Sequence, residues 1–303
     1  MPGLLENRVA VVTGAGRGVG REHALLMAAE GAKVVVNDLG GGADGTGADT
    51  SAAQSVVDEI VAAGGAAVAN TDSVADFAAS ARIVHAAVEA FGDLHVVVNN
   101  AGILRDRMLV SMSEQDFDAV IAVHLKGTFN VTRHAATYWR EQAKQGLEAD
   151  RSVINTSSGA GLHGNVGQTN YAAAKAGIAA MTIVDAMELA KYRVRVNCIA
   201  PIARTRLTLA TPGIQDAMGV SAFDPENIAP VVACLAAGTS PFTGQVFSVY
   251  GGHVGIYQGW SIHEEVVADG RWSAADLFTA MQTLPRHVEV NDQSKVLTES
   301  GII

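Results

Sequence analysis

Short apolar runs rich in β-branched residues alternate along the chain with longer alanine-rich segments that have helical spacing. Seven of the apolar runs predict strands at 8–13 (RVAVVT), 33–37 (KVVVN), 66–70 (AAVAN), 94–99 (LHVVVN), 152–156 (SVINT), 193–199 (RVRVNCI) and 245–249 (QVFSV). The segments between them predict helices near 19–30, 52–63, 74–90, 115–142, 170–191 and 226–237. Strands that are apolar on both faces indicate a parallel sheet covered by helices on both sides. The pattern therefore predicts a single α/β domain with a doubly wound, seven-stranded parallel sheet over residues 1–255.

Two segments do not follow this alternation. Residues 40–50 (GGGADGTGADT) form a glycine-rich insertion after the second predicted strand, and we interpret them as a surface loop rather than a second phosphate-binding loop. Residues 256–303 form a more polar C-terminal extension. Within this extension, Ser273 followed by Asp276 predicts the start of a helix that runs to about Thr283.

Composition and charge narrow the class of protein. The chain has 303 residues, 49% of them hydrophobic, and a net charge of −10. An acidic chain is not expected to bind nucleic acid through its phosphates, and an anionic substrate would need a local basic patch. The chain contains no apolar run of about 18 residues, so no membrane span is expected. Its start, MPGLLENRVAVVTG, does not resemble a signal peptide, and we expect a cytoplasmic protein.

The two cysteines are not expected to form a functional site. Cys198 and Cys234 lie in apolar runs without metal-ligand spacing. We predict that both are buried free thiols rather than a disulfide, and we predict no metal site.

A glycine-rich turn follows the first predicted strand and precedes a helix. It reads TGAGRGVG at residues 13–20, with the spacing G-x-x-x-G-x-G rather than G-x-G-x-x-G. Glycines in such a turn let backbone N–H groups approach a pyrophosphate at a helix N-terminus, although similar turns also occur for packing alone. The residues predicted to bind a dinucleotide here are Gly14, Arg17, Gly18, Val19 and Gly20.

The end of the second predicted strand indicates which dinucleotide binds. Asp38 stands about 20 residues after the glycines, where a carboxylate accepts hydrogen bonds from the adenosine ribose. A carboxylate in this position repels a 2′-phosphate, whereas the guanidinium of Arg17 would attract one. Because the carboxylate lies at the ribose itself, we predict NAD rather than NADP.

A serine pair and a tyrosine–lysine pair form the candidate catalytic group. Tyr171 and Lys175 are one helical turn apart and share a face, and no other tyrosine of the chain has a lysine four residues later. Oxidation of an alcohol needs a base, and a lysine ammonium together with a positive nicotinamide ring favours the phenolate of tyrosine. Ser158 is predicted to hydrogen-bond the reacting oxygen, whereas the side chain of Ser157 is predicted to point away from it.

Taken together, these motifs resemble the short-chain dehydrogenase/reductase superfamily. The resemblance rests on TGAGRGVG, on NNAG at 99–102, on the serine 13 residues before the tyrosine, and on YAAAK, and it covers residues 5 to about 250. It implies a Rossmann fold in which NNAG supports the sheet beside the cofactor. The further cofactor contacts that it implies are Asp72 and Ser73 near the adenine, Asn100, Ala101 and Gly102 of NNAG, Tyr171 and Lys175, and Pro201, Ile202 and Thr205. The family usually has Pro-Gly against the nicotinamide, but this chain reads PIART at 201–205 and lacks that glycine.

His124 stands in the middle of an apolar run, AVIAVHLKGTF. The family usually has an asparagine there, at a helix kink where the main-chain carbonyl holds a water that links the lysine to solvent. Any side chain leaves that carbonyl in place, so we interpret His124 as a hydrogen-bonded support of this proton relay. Direct acid–base catalysis by His124 is the alternative, whereas no neighbouring histidine or acid has the spacing of a metal site.

Longer stretches narrow the resemblance to one branch of the family. VHLKGTF, VVVNDLGG with its insertion, NNAGILRDR and GNVGQTNYAAAK resemble the branch that contains the (3R)-hydroxyacyl-CoA dehydrogenase unit of peroxisomal multifunctional enzyme type 2, also called 17β-hydroxysteroid dehydrogenase type 4. This resemblance implies an NAD-dependent enzyme that oxidises a 3-hydroxyacyl-CoA. The alternatives are a 17β-hydroxysteroid or other secondary-alcohol dehydrogenase, and a non-catalytic NAD-binding scaffold. The chain ends in Gly-Ile-Ile, which is not a peroxisomal tripeptide.

Assembly and the C-terminal extension give two further expectations. The family commonly pairs through the helices near 115–142 and 170–191, and small residues at Ala176, Gly177 and Ala180 permit close approach, so we predict a homodimer or homotetramer. In the extension, Trp260 and Trp272 need apolar surroundings. Either they pack on their own subunit, or the extension covers the mouth of a substrate pocket on its own or a neighbouring subunit.

Overall fold

The computed structural model describes residues 3–47, 49–205, 221–262 and 264–285. Within these residues one sheet runs in the order β3-β2-β1-β4-β5-β6-β7-β8. Its strands are β1 Val9–Thr13, β2 Lys33–Asn37, β3 Ala66–Asn70, β4 Val96–Asn99, β5 Arg151–Thr156, β6 Val194–Pro201, β7 Val246–Tyr250 and β8 His253–Ile256. The first seven are parallel to their neighbours, and β8 is antiparallel to β7. The predicted doubly wound α/β fold is confirmed, with one strand more than predicted.

The additional strand results from a tight hairpin. Tyr250 pairs with His253, so that Gly251 and Gly252 form a two-residue loop. Gly251 has a φ of 49°, a conformation that such hairpin loops require and that glycine adopts without strain. Paired glycines are a known hairpin signal, but HVGI is too short and too little hydrophobic to stand out as a strand. This strand forms the edge of the sheet and ends at Ile256, where the C-terminal extension begins.

Helices cover both faces of the sheet. The described helices are α1 Gly18–Ala29, α2 Ser51–Ala62, α3 Phe77–Phe91, α4 Glu114–Ile121, α5 Gly127–Lys144, α6 Gly159–His163, α7 Thr169–Leu189, α8 Ala229–Ala236 and α9 Ala274–Met281. The helices α1, α2 and α8 pack on one face, and α3, α5 and α7 pack on the other. None of the helices in the described part of the chain is long and apolar enough to cross a membrane.

Alternating side chains explain why the strands are apolar throughout. In β1, Ala10 and Val12 join the core beneath α1, whereas Val9 and Val11 join the core beneath α3. Successive side chains of a strand point to opposite faces, so a sheet covered on both sides buries every position. The apolar runs in the sequence therefore indicate that both faces of the sheet are buried.

The predicted helix over 115–142 is interrupted. Between α4 and α5, residues Ala122–Lys126 form a π-helical turn, and this turn contains His124. Such turns are frequent at functional sites because they displace one residue from the regular helical ladder. The kink implied by the resemblance is therefore present at the implied position.

The prediction for the two cysteines is wrong in part. Cys198 is a buried free thiol as predicted, but Cys234 is exposed. The helix α8 buries Val232, Ala233 and Leu235, and Cys234 lies on its opposite, solvent-facing side. In the extension, the side chain of Trp260 is 93% exposed, so it does not pack on the described part of its own chain. The predicted helix beginning after Ser273 is present as α9.

Candidate active site

A cavity of about 340 Å³ lies at the carboxyl ends of the parallel strands. It opens where the strand order reverses between β1 and β4, the usual place for a ligand in a doubly wound sheet. Most of the residues predicted to bind or react line it: Gly14, Arg17, Gly18, Val19, Gly20, Asp38, Asp72, Ser73, Asn100, Ala101, Gly102, His124, Tyr171, Lys175, Pro201 and Thr205. Ser158 and Ile202 are not among the lining residues, and the N–H of Ile202 instead donates to Val249 O of β7.

The glycine-rich turn needs its glycines because the backbone passes close to other backbone. Gly14 has a φ of 62°, and a Cβ there would lie 2.7 Å from Ala101 Cα. A Cβ on Gly20 would lie 2.2 Å from Gly14 O. Asn100 holds the turn in place, since its Nδ2 donates to Gly14 O over 3.1 Å. The turn leads directly into α1, so it fits a dinucleotide pyrophosphate at a helix N-terminus.

The carboxylate of Asp38 is fixed by two backbone N–H groups. Gly16 N donates to Oδ2 over 2.8 Å, and Gly40 N donates to Oδ1 over 2.6 Å. Each carboxylate oxygen accepts more than one hydrogen bond, so capacity for ribose hydroxyls remains. The neighbouring acid Asp72 accepts from Arg82 Nε over 2.8 Å and from Asn70 Nδ2 over 2.9 Å.

The glycine-rich insertion forms part of the cavity wall. Within it, Gly41, Gly42 and Gly45 line the cavity. Its main chain is tied to the segment after β4, since Leu104 N donates to Ala43 O over 2.9 Å. The described residues of the insertion are mostly exposed or half-buried, as expected for a surface loop, and three of its glycines also line the cavity. The contacts that hold the insertion over the cleft involve residues some 60 positions away in the sequence.

The candidate catalytic side chains lie close together between the end of β5 and α7. Lys175 Nζ donates to Thr156 O over 2.6 Å and lies 5.5 Å from the centre of the Tyr171 ring. Ser158 is close enough to Tyr171 to work toward a lower pKa of the tyrosine hydroxyl. Ser157 is turned away as predicted, because its Oγ donates to Lys175 O over 2.8 Å and joins β5 to α7.

Burial controls the protonation of this group. It raises the pKa of Tyr171 to about 12, against the smaller effect of Ser158. Burial also lowers the pKa of Lys175 to about 8. We expected a lowered tyrosine pKa from Lys175 together with a positive nicotinamide ring; in the protein alone the tyrosine pKa is raised, because a poorly hydrated wall disfavours the charged form of both groups. A phenolate on Tyr171 therefore needs further positive charge in the cavity.

His124 is buried behind Tyr171 and is only 1% exposed. Its Nε2 lies 3.0 Å from Ile103 N and 2.8 Å from Ile103 O, and its ring packs edge-on against Tyr171 with the centres 5.1 Å apart. A Cβ on Gly102 would lie 2.4 Å from His124 Cε1, so glycine is required there. Burial lowers the pKa of His124 to about 3, and the charge of Lys175 adds to this effect. A neutral, packed imidazole agrees with the supporting role, which stays a prediction.

Several residues that line the cavity were not predicted from the sequence. They are Asn37, Leu39, Gly41, Gly42, Gly45, Val74, Ile103, Val123, Thr156 and Ala203. Most of them directly neighbour a predicted residue, as Asn37 precedes Asp38 and Thr156 precedes the serine pair. For Asn37 and Thr156, the position at the carboxyl end of a predicted strand was the available signal.

Comparison with known proteins identifies the family. The model of the family described as short chain dehydrogenase matches residues 8–209. The chain belongs to the short-chain dehydrogenase family. The superfamily that the motifs indicated is therefore confirmed.

Individual relatives of this dehydrogenase fall in the expected branch. The chain is 43% identical to hydroxyacyl-CoA dehydrogenase ChsB1 of Mycobacterium tuberculosis over 290 residues, which is 92% of this chain and 88% of the relative. It is 50% identical over 230 residues to peroxisomal multifunctional enzyme type 2 of Drosophila melanogaster, which is 76% of this chain but only 36% of that enzyme. A solved short chain dehydrogenase from Mycobacterium avium has 50% identity and a TM-score of 0.83, covering 94% of this chain and 98% of that one.

Proposed function

We propose that this short-chain dehydrogenase oxidises the hydroxyl of a 3-hydroxyacyl-CoA to a ketone, with NAD as the oxidant. The observation that carries the proposal is that one cavity is lined by Tyr171 and Lys175 as well as by the glycine-rich turn and Asp38, with Ser158 beside Tyr171. The groups suited to a dinucleotide and the groups suited to reaction therefore share one cavity. A scaffold that only bound the dinucleotide would have no need of the buried tyrosine and lysine.

The residues present fit a dinucleotide. Gly14, Gly18 and Gly20 line the cavity in the turn that leads into α1, where a pyrophosphate would bind, and the fixed carboxylate of Asp38 suits the two ribose hydroxyls of NAD. Thr205 lies against the same turn, with its Cγ2 3.6 Å from a Cβ placed on Gly18. The cofactor, when bound, supplies the hydride acceptor and a positive charge on the nicotinamide ring.

The chain itself positions the alcohol and takes its proton. The hydroxyl of Ser158 orients the reacting oxygen, and Tyr171 accepts the hydroxyl proton as hydride leaves the carbon. Because burial raises the pKa of Tyr171 to about 12, the base works only when positive charge gathers beside it. The ammonium of Lys175 provides part of this charge, and its bond to Thr156 O holds it in place. His124 keeps the π-helical turn packed against Tyr171.

The acyl-CoA substrate is supported by the relatives and by local charge. One relative is named a hydroxyacyl-CoA dehydrogenase, and another is a peroxisomal multifunctional enzyme. CoA is strongly anionic, and Arg105 and Arg107 supply positive charge in an acidic chain. Both lie beside the start of α7, since Asn170 Nδ2 donates to Arg105 O over 3.0 Å and Arg107 N donates to Gly167 O over 2.8 Å.

The proposal is tested by turnover. The protein is mixed with NAD and a series of 3-hydroxyacyl-CoA thioesters, including thioesters with a steroid side chain, and reduced nicotinamide is followed by absorbance. We expect turnover with thioesters and little with 17β-hydroxysteroids. Turnover of the free steroids alone would point to the alternative dehydrogenase, and NAD binding without turnover of any alcohol would point to a scaffold.

We also propose that the enzyme assembles as a homodimer or homotetramer. Along α7 an exposed stripe recurs at helical spacing and consists of Ala180, Ile183, Val184 and Met187, the last of them 69% exposed. Gly177, which we expected on this face, points inward, because a Cβ there would lie 3.0 Å from Leu125 Cδ1. An apolar stripe of this kind suits burial against a second copy. Sedimentation of Met187→Glu, expected to give smaller particles than the parent, tests this proposal.

A further inference from the structure

Arg17 is placed to bind a phosphate on the adenosine ribose. It lines the cavity together with Asp38. Its neighbour Gly16 donates its N–H to Asp38 Oδ2 over 2.8 Å, so the backbone of Arg17 is one residue from the predicted ribose position. A guanidinium matches the geometry of phosphate with two parallel N–H donors. Without a competing partner, Arg17 would favour a dinucleotide with a 2′-phosphate.

The glycine-rich insertion supplies that partner. Arg17 Nη2 lies 2.9 Å from Asp49 Oδ2. The other carboxylate oxygen of Asp49 accepts from Ser51 N over 3.0 Å and from Ser51 Oγ over 2.5 Å. These bonds at the start of α2 orient the carboxylate toward Arg17, and together with Arg17 they lower the pKa of Asp49. Asp49 is therefore ionised at neutral pH.

The fold of the insertion keeps Asp49 close to Asp38. Gly40 has a φ of 79°, and a Cβ there would lie 2.0 Å from Asp49 O, so the two ends of the insertion touch through backbone. The N–H of the same Gly40 donates to Asp38 Oδ1 over 2.6 Å. Gly40 thus contacts the carboxylate of Asp38 and the main chain of Asp49. The insertion therefore holds a second carboxylate against Arg17, which lines the cavity.

The next cation along α1 is neutralised in the same way. Arg21 pairs with Glu22 over 2.6 Å and with Glu59 of α2 over 2.5 Å. Acids from α2 and the segment before it therefore hold both arginines near the start of α1. Among the described residues of this part of the chain, positive charge is matched by acids rather than left for an anion.

We propose that Asp49 is a specificity-determining residue for the cofactor, which acts by engaging Arg17 and so withholding its guanidinium from a 2′-phosphate. The inference rests on the dinucleotide site of the proposed function and extends its selectivity beyond Asp38. It also gives the glycine-rich insertion a role, namely to position Asp49.

The test compares binding of the two reduced cofactors. Dissociation constants of NADH and NADPH are measured by ligand fluorescence at low ionic strength, because added salt screens half-exposed charges. Asp49→Asn keeps an oxygen for Ser51 but removes the charge, and we expect it to improve NADPH binding relative to NADH by about fivefold. The matched control is Asp44→Asn, which removes the same charge from the same insertion. The Asp44 side chain accepts hydrogen bonds from Thr46 and not from Arg17. In Asp44→Asn, the ratio of the NADPH dissociation constant to the NADH dissociation constant should therefore stay at the parent value.

A double substitution isolates the role of Arg17. In an Arg17→Gln background, Asp49→Asn should change the ratio of the two dissociation constants less than twofold, because this background lacks the guanidinium that Asp49→Asn would release. An unchanged ratio in Asp49→Asn, or an equal change in Asp44→Asn, overturns the inference while leaving the proposed dehydrogenase intact. A parent protein that prefers NADPH overturns both the inference and the choice of NAD. Failure of both cofactors to bind overturns the proposed function together with the inference.

Discussion

His23 lies in α1 with its side chain completely buried, and the clearest prediction concerns its effect on stability at low pH. Neither ring nitrogen has a hydrogen-bond partner among the described residues. Burial lowers the pKa of His23 from its ordinary value of 6.5 to about 3. The histidine is therefore neutral in the folded protein over a range in which it takes up a proton in the unfolded chain.

The sign of the effect follows from this difference. Above about pH 6.5 neither state carries the proton, and His23 adds no pH dependence. Below that value the unfolded state binds a proton that the folded state excludes, so stability is lost as pH falls toward 3. The loss is about 1.4 kcal/mol for each pH unit, or about 2 kcal/mol near pH 5. The buried imidazole also costs about 1–3 kcal/mol at neutral pH, because its polar atoms are desolvated without partners.

Replacement of His23 by leucine tests the reasoning. His23→Leu has a similar volume and no polar atoms, so we expect it to unfold at higher urea concentration than the parent at pH 7.5. The difference in unfolding free energy should grow by about 2 kcal/mol between pH 7.5 and pH 5. The control His85→Leu removes an exposed histidine from α3 and should leave the pH dependence close to that of the parent. If His23→Leu raises the unfolding free energy by the same amount at pH 7.5 and at pH 5, the argument is refuted.

Three further predictions concern the cofactor, catalysis and the extension. Tyr171→Phe should lose almost all turnover while NAD still binds, whereas His124→Asn should keep substantial activity. If both variants fold and are equally inactive, the supporting role of His124 is contradicted. The parent should prefer NAD over NADP in kcat/KM by at least about tenfold, and Asp38→Ser should narrow that gap; equal values for the parent would exclude Asp38 as the discriminator. Truncation after Tyr257 should weaken the apparent affinity for long acyl-CoA and leave NAD binding little changed. Unaltered kinetics and assembly of the truncated protein would exclude the extension as a pocket cover.

Local patterns in the sequence were sufficient for the fold and for much of the site. Strands buried on two faces must be apolar at every position, and this property is visible in a run such as KVVVN without any knowledge of its neighbours. The glycines at 14 and 20 are required by close backbone contacts, and Tyr171 and Lys175 share a face because they are one helical turn apart. In each case the relevant spacing is short, so the sequence carries the information directly.

The tertiary structure decided the features that depend on residues far apart in the chain. The insertion became part of the cavity only through contacts such as Leu104 N to Ala43 O. Arg17 is paired because folding brings Asp49, 32 residues away, within 2.9 Å. The pKa of Tyr171 rises because elements from several parts of the chain exclude water around it, and that burial outweighs the effect of Ser158. Spacing along a chain specifies which side chains share a strand or helix face, but the charges and hydration that surround a side chain depend on how those faces pack together.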